Sequence, residues 1–437
     1  MKPLLLLKSN VSRKRALVVF TALFLANQAI ASDPMSTTTN ATASTAPVVP
    51  ASAAPPATAN GSVPPAITPS TANKTTPAAS SSDQSIGGLS IEDLLNVTVT
   101  SAEDKVQKLS DVASAMTVIT AEDIERSGAT NIPDLLRYVP GVEVGQGNNT
   151  DMSVAIRGFG GIYDNKLLVL VDGRSIYDPD FGGVAWEFQH MMMENIDRVE
   201  VIRGPGSTVW GANAVNGVIN IITKDSADTQ GGLLTTIYGT KEDGTAAFRY
   251  GLQPAEGLTL RLYGEYENTA ASSSLPGYQK YDDGHNDLGG LRADYRPDSD
   301  DHYRLSGDVM SARAGDAEFF GGVLFPPALD QTRDDENANF SWEHTFDADN
   351  QLTLQSYYER YSQGSDPQGI FVRTTFQIAD AQARHTLPVN LLPIKQELTY
   401  GIEYRLVSQE LGSARLANYA VPGRADQTFS AFGSDLI

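Results

Sequence analysis

The sequence predicts a small mixed α/β domain followed by a long antiparallel, barrel-forming β region that is itself incomplete. Three observations carry this reading. Residues 103–227 hold short apolar runs and two capped helical segments between turn residues. Beyond Gly231 the apolar pattern switches to period two. From there to Ile437 short and long connections alternate regularly.

In the α/β part, Thr120-Ala121-Glu122-Asp123 resembles a capping box that opens a helix ending at Gly128. A second helix fits Asn131 to Tyr138, with Pro133 in its first turn and Pro140-Gly141 beyond its end. Strands fit Met116–Ile119, Val142–Val144, Val154–Arg157, Leu167–Val171, Val199–Ile202 and Val218–Ile222.

In residues 228–437, one face of the run from Leu258 carries Leu258, Leu260, Leu262 and Tyr266, and the other carries Thr259, Arg261, Glu265 and Glu267. Tyr263 and Gly264 break the pattern. About ten such strands fit this part of the chain. Short turns fall at Gln253–Gly257, Pro297–Asp301 and Asp347–Asn350, and long polar loops at Asn268–His285, Ala314–Asp335 and Gln363–Val372. Sorting of loop lengths by side describes a bacterial outer-membrane barrel, whereas a soluble sandwich has no reason for it.

The front of the chain is different again. Residues 1–31 carry Lys2, Lys8, Arg13, Lys14 and Arg15, an apolar run from Ala16 to Ala26, and Ala29-Ile30-Ala31, which reads as a secretory signal peptide. Its loss takes the formal charge from −21 to about −26. So acidic a surface argues against nucleic acid as a partner. Residues 32–85, rich in Ser, Thr, Ala and Pro, read as a disordered linker. With no cysteine in the chain, disulfides and thiolate metal sites are excluded.

The segment IDRVEVIRGPGSTVWGANAVNGVINIITK, from Ile196 to Lys224, resembles the plug signature of TonB-dependent outer-membrane receptors. NIPDLLRYVPGVEV from Asn131, MSVAIRGFGG from Met152 and LLVLVDGRSIYDP from Leu167 agree with it in order and spacing. The resemblance implies a plug domain inside a barrel of about 22 strands, in the outer membrane of a Gram-negative bacterium. It implies active uptake of a scarce small-molecule ligand, such as a ferric siderophore or other metal chelate, and no enzymatic activity. About ten strands would close to a backbone diameter of only about 20 Å, too narrow for a plug near 37 Å across, so the barrel is expected to be partial.

The resemblance also assigns residues. In residues 86–102 the alternating β-branched segment Val97, Thr98, Val99, Thr100 and Ser101 is the expected TonB box, which adds as a strand to the periplasmic energy-coupling protein. Arg157, Glu200 and Arg203, charges in or beside apolar strands, are expected to pair with acidic groups of the plug or the barrel wall, or within the plug alone. Asn148, Asn149, Tyr163, Tyr177, Asp178 and Trp186 are the candidates for facing ligand. His190-Met191-Met192-Met193 reads as core filling rather than a soft-metal site. Acid runs at Asp282-Asp283 and Asp334-Asp335-Glu336 read as solvated loop charge. No cofactor is implied. The five histidines form no recognisable nucleophile–base constellation, and a passive porin or adhesin is disfavoured by the plug and its coupling segment.

Overall fold

The computed structural model describes residues 98–99, 107–108, 114–158, 160, 164–179, 182–211, 213–272, 282–315, 319–320, 323–324, 331–347, 349–365, 373–389, 396–412 and 423–436. The segments expected to be a signal peptide (1–31) and a linker (32–85) lie outside the described residues. Everything described belongs to one compact unit, Ser80–Ile437.

The small domain begins after a two-residue ladder, in which β1 (Thr98–Val99) pairs antiparallel with β2 (Gln107–Lys108). Its main sheet contains β3 (Met116–Thr120), β6 (Leu167–Val171), β7 (Arg174–Ser175), β8 (Ile196–Arg203) and β9 (Gly217–Thr223) in the order β3-β8-β9-β6-β7. The β6–β9 pairing is parallel and the others are antiparallel. A separate hairpin joins β4 (Val142–Gln146) to β5 (Met152–Ile156).

Helix α1 (Ala121–Ser127) starts where the sequence places it. Thr120 Oγ1 accepts from the Asp123 N–H, the Asp123 carboxylate accepts from the Thr120 N–H, and Gly128 at φ 67 stops the helix. Helix α2 (Ile132–Leu136) is capped by Asn131 and ends two residues before Tyr138. There the Tyr138 and Val139 N–H groups bond to Leu135 and Leu136, three residues back, which tightens the last turn ahead of Pro140. The strand expected to reach Arg157 stops at Ile156, because Arg157 and Gly158 enter the left-handed region at φ 58 and 79. Gly217 is needed for a different reason: a Cβ there would lie 2.5 Å from the Ile202 carbonyl oxygen.

Alternation in β6 and β8 divides the apolar residues into two layers. Leu167, Val169, Val199 and Val201 pack with Ile124, Leu135 and Trp186 on the helix side, and Leu168, Leu170 and Ile202 pack with Val218 and Ala214 on the other. The methionine run behaves as filler: Met192 is buried, and Met191 and Met193 pack against the first layer.

The wall is a ten-stranded antiparallel sheet. Its strands are β10 (Gly231–Ile237), β11 (Glu242–Ala255), β12 (Leu258–Thr269), β13 (Gly284–Tyr295), β14 (Asp301–Ala314), β17 (Gln331–Asp347), β18 (Asn350–Ser365), β19 (Thr374–Val389), β20 (Gln396–Leu411) and β21 (Arg424–Leu436). A minor hairpin, β15 (Phe319–Phe320) with β16 (Val323–Leu324), sits in the β14–β17 connection. The connections at 256–257, 296–300 and 348–349 are short, and those at 270–283, 315–330 and 366–373 are long. The acidic run from Asp334 belongs to β17 rather than to a loop, with Asp335 turned inward. Asp282 is buried too, accepting from the Asn149 N–H and from Ser272. The expectation of solvated loop charge fails at both because paired acids can be buried where unpaired ones cannot.

The wall is polar inside and apolar outside. On β12, outward Leu262 is 48% exposed while inward Arg261 is 2% exposed. Leu234, Phe248, Leu291, Val309, Ile402 and Phe429 continue the exposed apolar face. Near the short turns a row of outward rings runs from Tyr295 through Tyr303, Trp342, His344, Phe346 and His385 to Tyr400, neighbours lying 4.4–6.1 Å apart. Such a girdle beside an apolar band matches a membrane boundary. Among the described residues no helix is long and apolar enough to cross a membrane.

Ile219 is fully buried in the helix-side layer of the small domain. Ile219→Ala is expected to cost about 2–4 kcal/mol, read as a lower urea midpoint for Trp186 fluorescence in detergent. Leu234→Ala on the exposed outer face is expected to change the midpoint by less than about 0.5 kcal/mol.

Candidate functional site: the seam between small domain and wall

Polar side chains along the inward face of the wall need partners, and the loops of the small domain supply them. At the short-turn end, Ser226 donates its N–H and its hydroxyl to Asp294 at 2.9 and 2.7 Å. Arg292 (2.8 Å) and His302 (3.0 Å) reach the same carboxylate. Arg296 pairs with Asp225 at 2.6 Å. That contact outweighs burial and holds the Asp225 carboxyl below its ordinary range. Asp225, Asp294 and His302 present ligand atoms within 4.8 Å of one another. Arg292 and Arg296 already neutralise both carboxylates, so the charge a metal would supply is present as guanidinium.

Higher up, the turn Asp172-Gly173 forms a knuckle against the wall. Asp172 sits at φ 47, and its carboxylate accepts from the Thr223 N–H at 2.9 Å and hydroxyl at 2.7 Å. The turn directs the Asp172 carbonyl at two wall amides, Asn339 Nδ2 at 3.0 Å and Gln355 Nε2 at 2.9 Å. At Gly173 the φ of 82 favours glycine, and a Cβ there would also push the end of the Gln355 side chain aside.

Above the knuckle are two buried ion pairs. Arg174 meets Glu359 at 3.0 Å, and Asp178 meets Arg333 at 3.0 Å. Arg333 also bonds Asp335 and lies 3.7 Å from the centre of the Tyr361 ring. A cavity of about 70 Å³ opens beside these pairs, bounded by Asp172, Arg174, Tyr263 and Asp308, and Tyr263 donates to the Asp308 carboxylate. A second cavity of about 60 Å³ lies between Trp186–His190 and the long-loop ends of β12, β13 and β14.

The sequence candidates separate on these contacts. Glu200 is fully buried and accepts from Arg198 at 2.7 Å, so it pairs inside the small domain. Neither Arg157 nor Arg203 forms an ion pair among the described residues. Arg157 is exposed past the end of its strand, and Arg203 donates to the Pro140 carbonyl at 2.9 Å. Among the described residues these two arginines do not pair with acids as expected; the charges that cross to the wall and its connections include Asp134, Asp172, Arg174, Asp178 and Asp225. Sequence reasoning assigned none of them that role, having singled out Asp178 only as a candidate for facing ligand. The available signal was Asp172-Gly173-Arg174 at the end of a fully apolar strand.

Among the ligand candidates, Trp186 packs in the core and borders the second cavity, and Asp178 is held by Arg333. Asn148 Oδ1 closes its own turn, accepting from the Thr150 and Asp151 N–H groups. Asn149 bonds Asp282 and the Ala270 carbonyl, which places its loop at the long-connection end of the wall. Tyr177 is partly exposed beside Asp178, and burial followed by the Asp178 charge raises its pKa. Tyr163 lies outside the described residues, as do Val97, Thr100 and Ser101. Thr98 and Val99 form β1, with Val99 buried.

Residues 108–218 match the model of the TonB-dependent Receptor Plug Domain. Those residues are a TonB-dependent receptor plug domain. The vitamin B12 transporter BtuB of Vibrio vulnificus is 39% identical over 165 residues, covering 37% of this chain and 26% of that protein. An iron-regulated outer membrane virulence protein of Vibrio cholerae is 36% identical over 179 residues, covering 38% and 27%. Among solved structures, a ferric enterobactin receptor mutant (PfeA) of Pseudomonas aeruginosa superposes with a TM-score of 0.60 at 18% identity, covering 78% of this chain and 56% of that one. The siderophore receptor PirA of Acinetobacter baumannii gives 0.56 at 20%, covering 73% and 54%. The chain thus spans about half the length of these structures, and the matched stretch about a quarter of the curated relatives. The small domain is the plug, and the ten-stranded sheet is part of the barrel wall. The family is one of outer-membrane receptors and transporters rather than enzymes.

Removing one partner of a buried pair leaves the other charge stranded. Asp178→Ala or Arg333→Ala is therefore expected to loosen the plug by about 3–5 kcal/mol, and Asp178→Asn, whose amide oxygen still accepts from Arg333, by less, measured as urea-dependent protease cleavage of the plug. Burial raises the Glu187 carboxyl to about 7, so the folded plug binds this proton more tightly than the unfolded chain. Stability should fall as pH rises from about 4.5 to about 7. Glu187→Gln is expected to raise the urea midpoint at pH 8 and leave it unchanged at pH 4.

Proposed function

We propose that the chain is the plug-bearing part of a receptor for energy-dependent uptake across the outer membrane. Its ligand is a scarce small molecule, a ferric siderophore or another metal chelate, taken up at the long-loop side. The observation that carries the reading is the seam itself. Apart from one small apolar patch, Ala185 and Phe188 against Leu288, Met310, Ala312 and Ala314, the plug is held by buried ion pairs and amide–carbonyl bonds, which fix its position yet add little net stability, as a movable element requires.

Two further features support it. The outward apolar face and its aromatic row suit contact with outer-membrane lipid. Upstream of the plug, the described part of the proposed TonB box, Thr98–Val99, is held to Gln107–Lys108 by a ladder only two residues long. Strand exchange onto a periplasmic TonB-type protein would give up few hydrogen bonds and regain them on the partner. Asn148, Asn149 and Tyr177 are the described residues proposed to face ligand, and Tyr163 is the further candidate from the sequence.

The native chain has no cysteine, so Thr98→Cys introduces a single thiol. Expressed in the outer membrane with a TonB-type partner carrying a cysteine in its pairing strand, this variant is expected to form a disulfide-linked product. Adding Val99→Pro should reduce the product at least tenfold, because proline removes the N–H that strand addition uses. An unchanged yield would reject the coupling segment. Ligand uptake that persists after the proton gradient is dissipated would point to a passive pore instead.

A further inference from the structure

One contact across the seam differs from the fixed-charge pairs around it. His190, next to the plug's Trp186–Phe188 turn, has Nδ1 2.9 Å from Glu267 Oε2 on β12 and Nε2 2.9 Å from the Glu187 carbonyl oxygen. Neither a carboxylate nor a carbonyl can donate a hydrogen. A neutral imidazole has one N–H and one lone pair, so it satisfies only one of these oxygens and turns its lone pair on the other. An imidazolium donates to both. We propose that His190 is a proton-operated clamp between plug and barrel wall, closed as the imidazolium and released on the wall side when the proton leaves.

The surroundings favour the closed form. Glu265 and Glu267 of β12 place acid beside the ring. Facing it in the upper cavity are Lys241 from the β10–β11 connection, Glu242 at the start of β11, His285 at the start of β13 and Arg313 on β14, which is itself paired with Asp283. In the lower cavity Arg174 and Arg261 stand against Asp172, Asp308 and Asp335. Although burial alone would lower the His190 pKa, the bond to Glu267 and its charge outweigh it and the net shift is upward. On deprotonation the proton passes to solvent and His190–Glu267 changes from a neutral pair to a net anion beside Glu265. The two carboxylates then repel without the cation between them. Stability from the clamp is fully present below the unfolded histidine value of roughly 6.5 and is lost as pH rises through the folded value above it.

The clamp does not depend on which ligand is carried or on the role of Thr98–Val99, so its test is local. In the full chain in detergent, the His190 ring is followed by 13C NMR against pH and assigned by its loss in His190→Gln. Glu267→Gln serves as the pH-silent control, because its amide can donate to the Nδ1 lone pair of a neutral His190. Wild type is expected to titrate at least one pH unit above the control. In a Glu187→Gln background, which removes that carboxyl's own titration, amide exchange of the 184–196 peptide, corrected for intrinsic rates, should rise several-fold between pH 6 and pH 9 with Glu267 intact and stay flat with Glu267→Gln. Equal midpoints, or flat exchange with Glu267 intact, would overturn the clamp. If Glu267→Gln does not fold, the wild-type titration decides alone: a midpoint at or below roughly 6.5 rejects the proposal and one clearly above it supports it.

Discussion

A sheet that must show lipid an apolar face has to turn its polar residues the other way, and that single constraint organises the structure. Charges on the inner face of the wall cannot be left bare where the plug excludes water, because an unpaired buried charge costs several kcal/mol. Arg292, Arg333 and Glu359 are each nearly inaccessible, and each has a partner on the plug or close beside it. The plug therefore serves the wall as counter-charge as well as obstruction.

The same constraint explains why the plug has a core of its own. Its two apolar layers lie on either side of β6 and β8, complete within residues 116–221, and owe little to the wall. Most of what crosses the seam is polar, from Asn149, Asp172, Arg174, Asp178, His190, Asp225 and Ser226, with one small apolar patch where Ala185 and Phe188 meet Leu288 and Met310. A domain that folds on its own core and attaches through its loops can shift without unfolding. The pairs fix its position more than they add stability, since desolvation offsets most of their attraction.

Backbone strain is placed where it positions a contact. Asp172, at positive φ, turns its carbonyl toward Asn339 and Gln355 while its carboxylate ties the turn back to Thr223. Two wall amides and two plug donors offset a conformation that costs of order 1 kcal/mol or more for a residue other than glycine. The β4–β5 hairpin tip works differently: Asn148 folds its own loop, and Asn149 then reaches the long connections.

Local and periodic signals belonged to the sequence alone. The capping box at Thr120, the Asn131 cap, the order of the plug strands, the period-two wall and the sorting of its connections were all legible because each depends on neighbours a few residues apart. Pairing across the seam was not legible, since the partners are separated by up to 185 residues, as in Arg174 and Glu359, and no local pattern links them. Arg157 and Arg203 looked like buried charges because they flank apolar strands, but one left-handed residue and one backbone carbonyl gave them other fates. Asp334-Asp335-Glu336 looked like loop charge because alternating acid and polar residues carry no label for which side is buried. Only the tertiary structure decided which face each charge took, because desolvation acts on a side chain through whatever the fold brings against it.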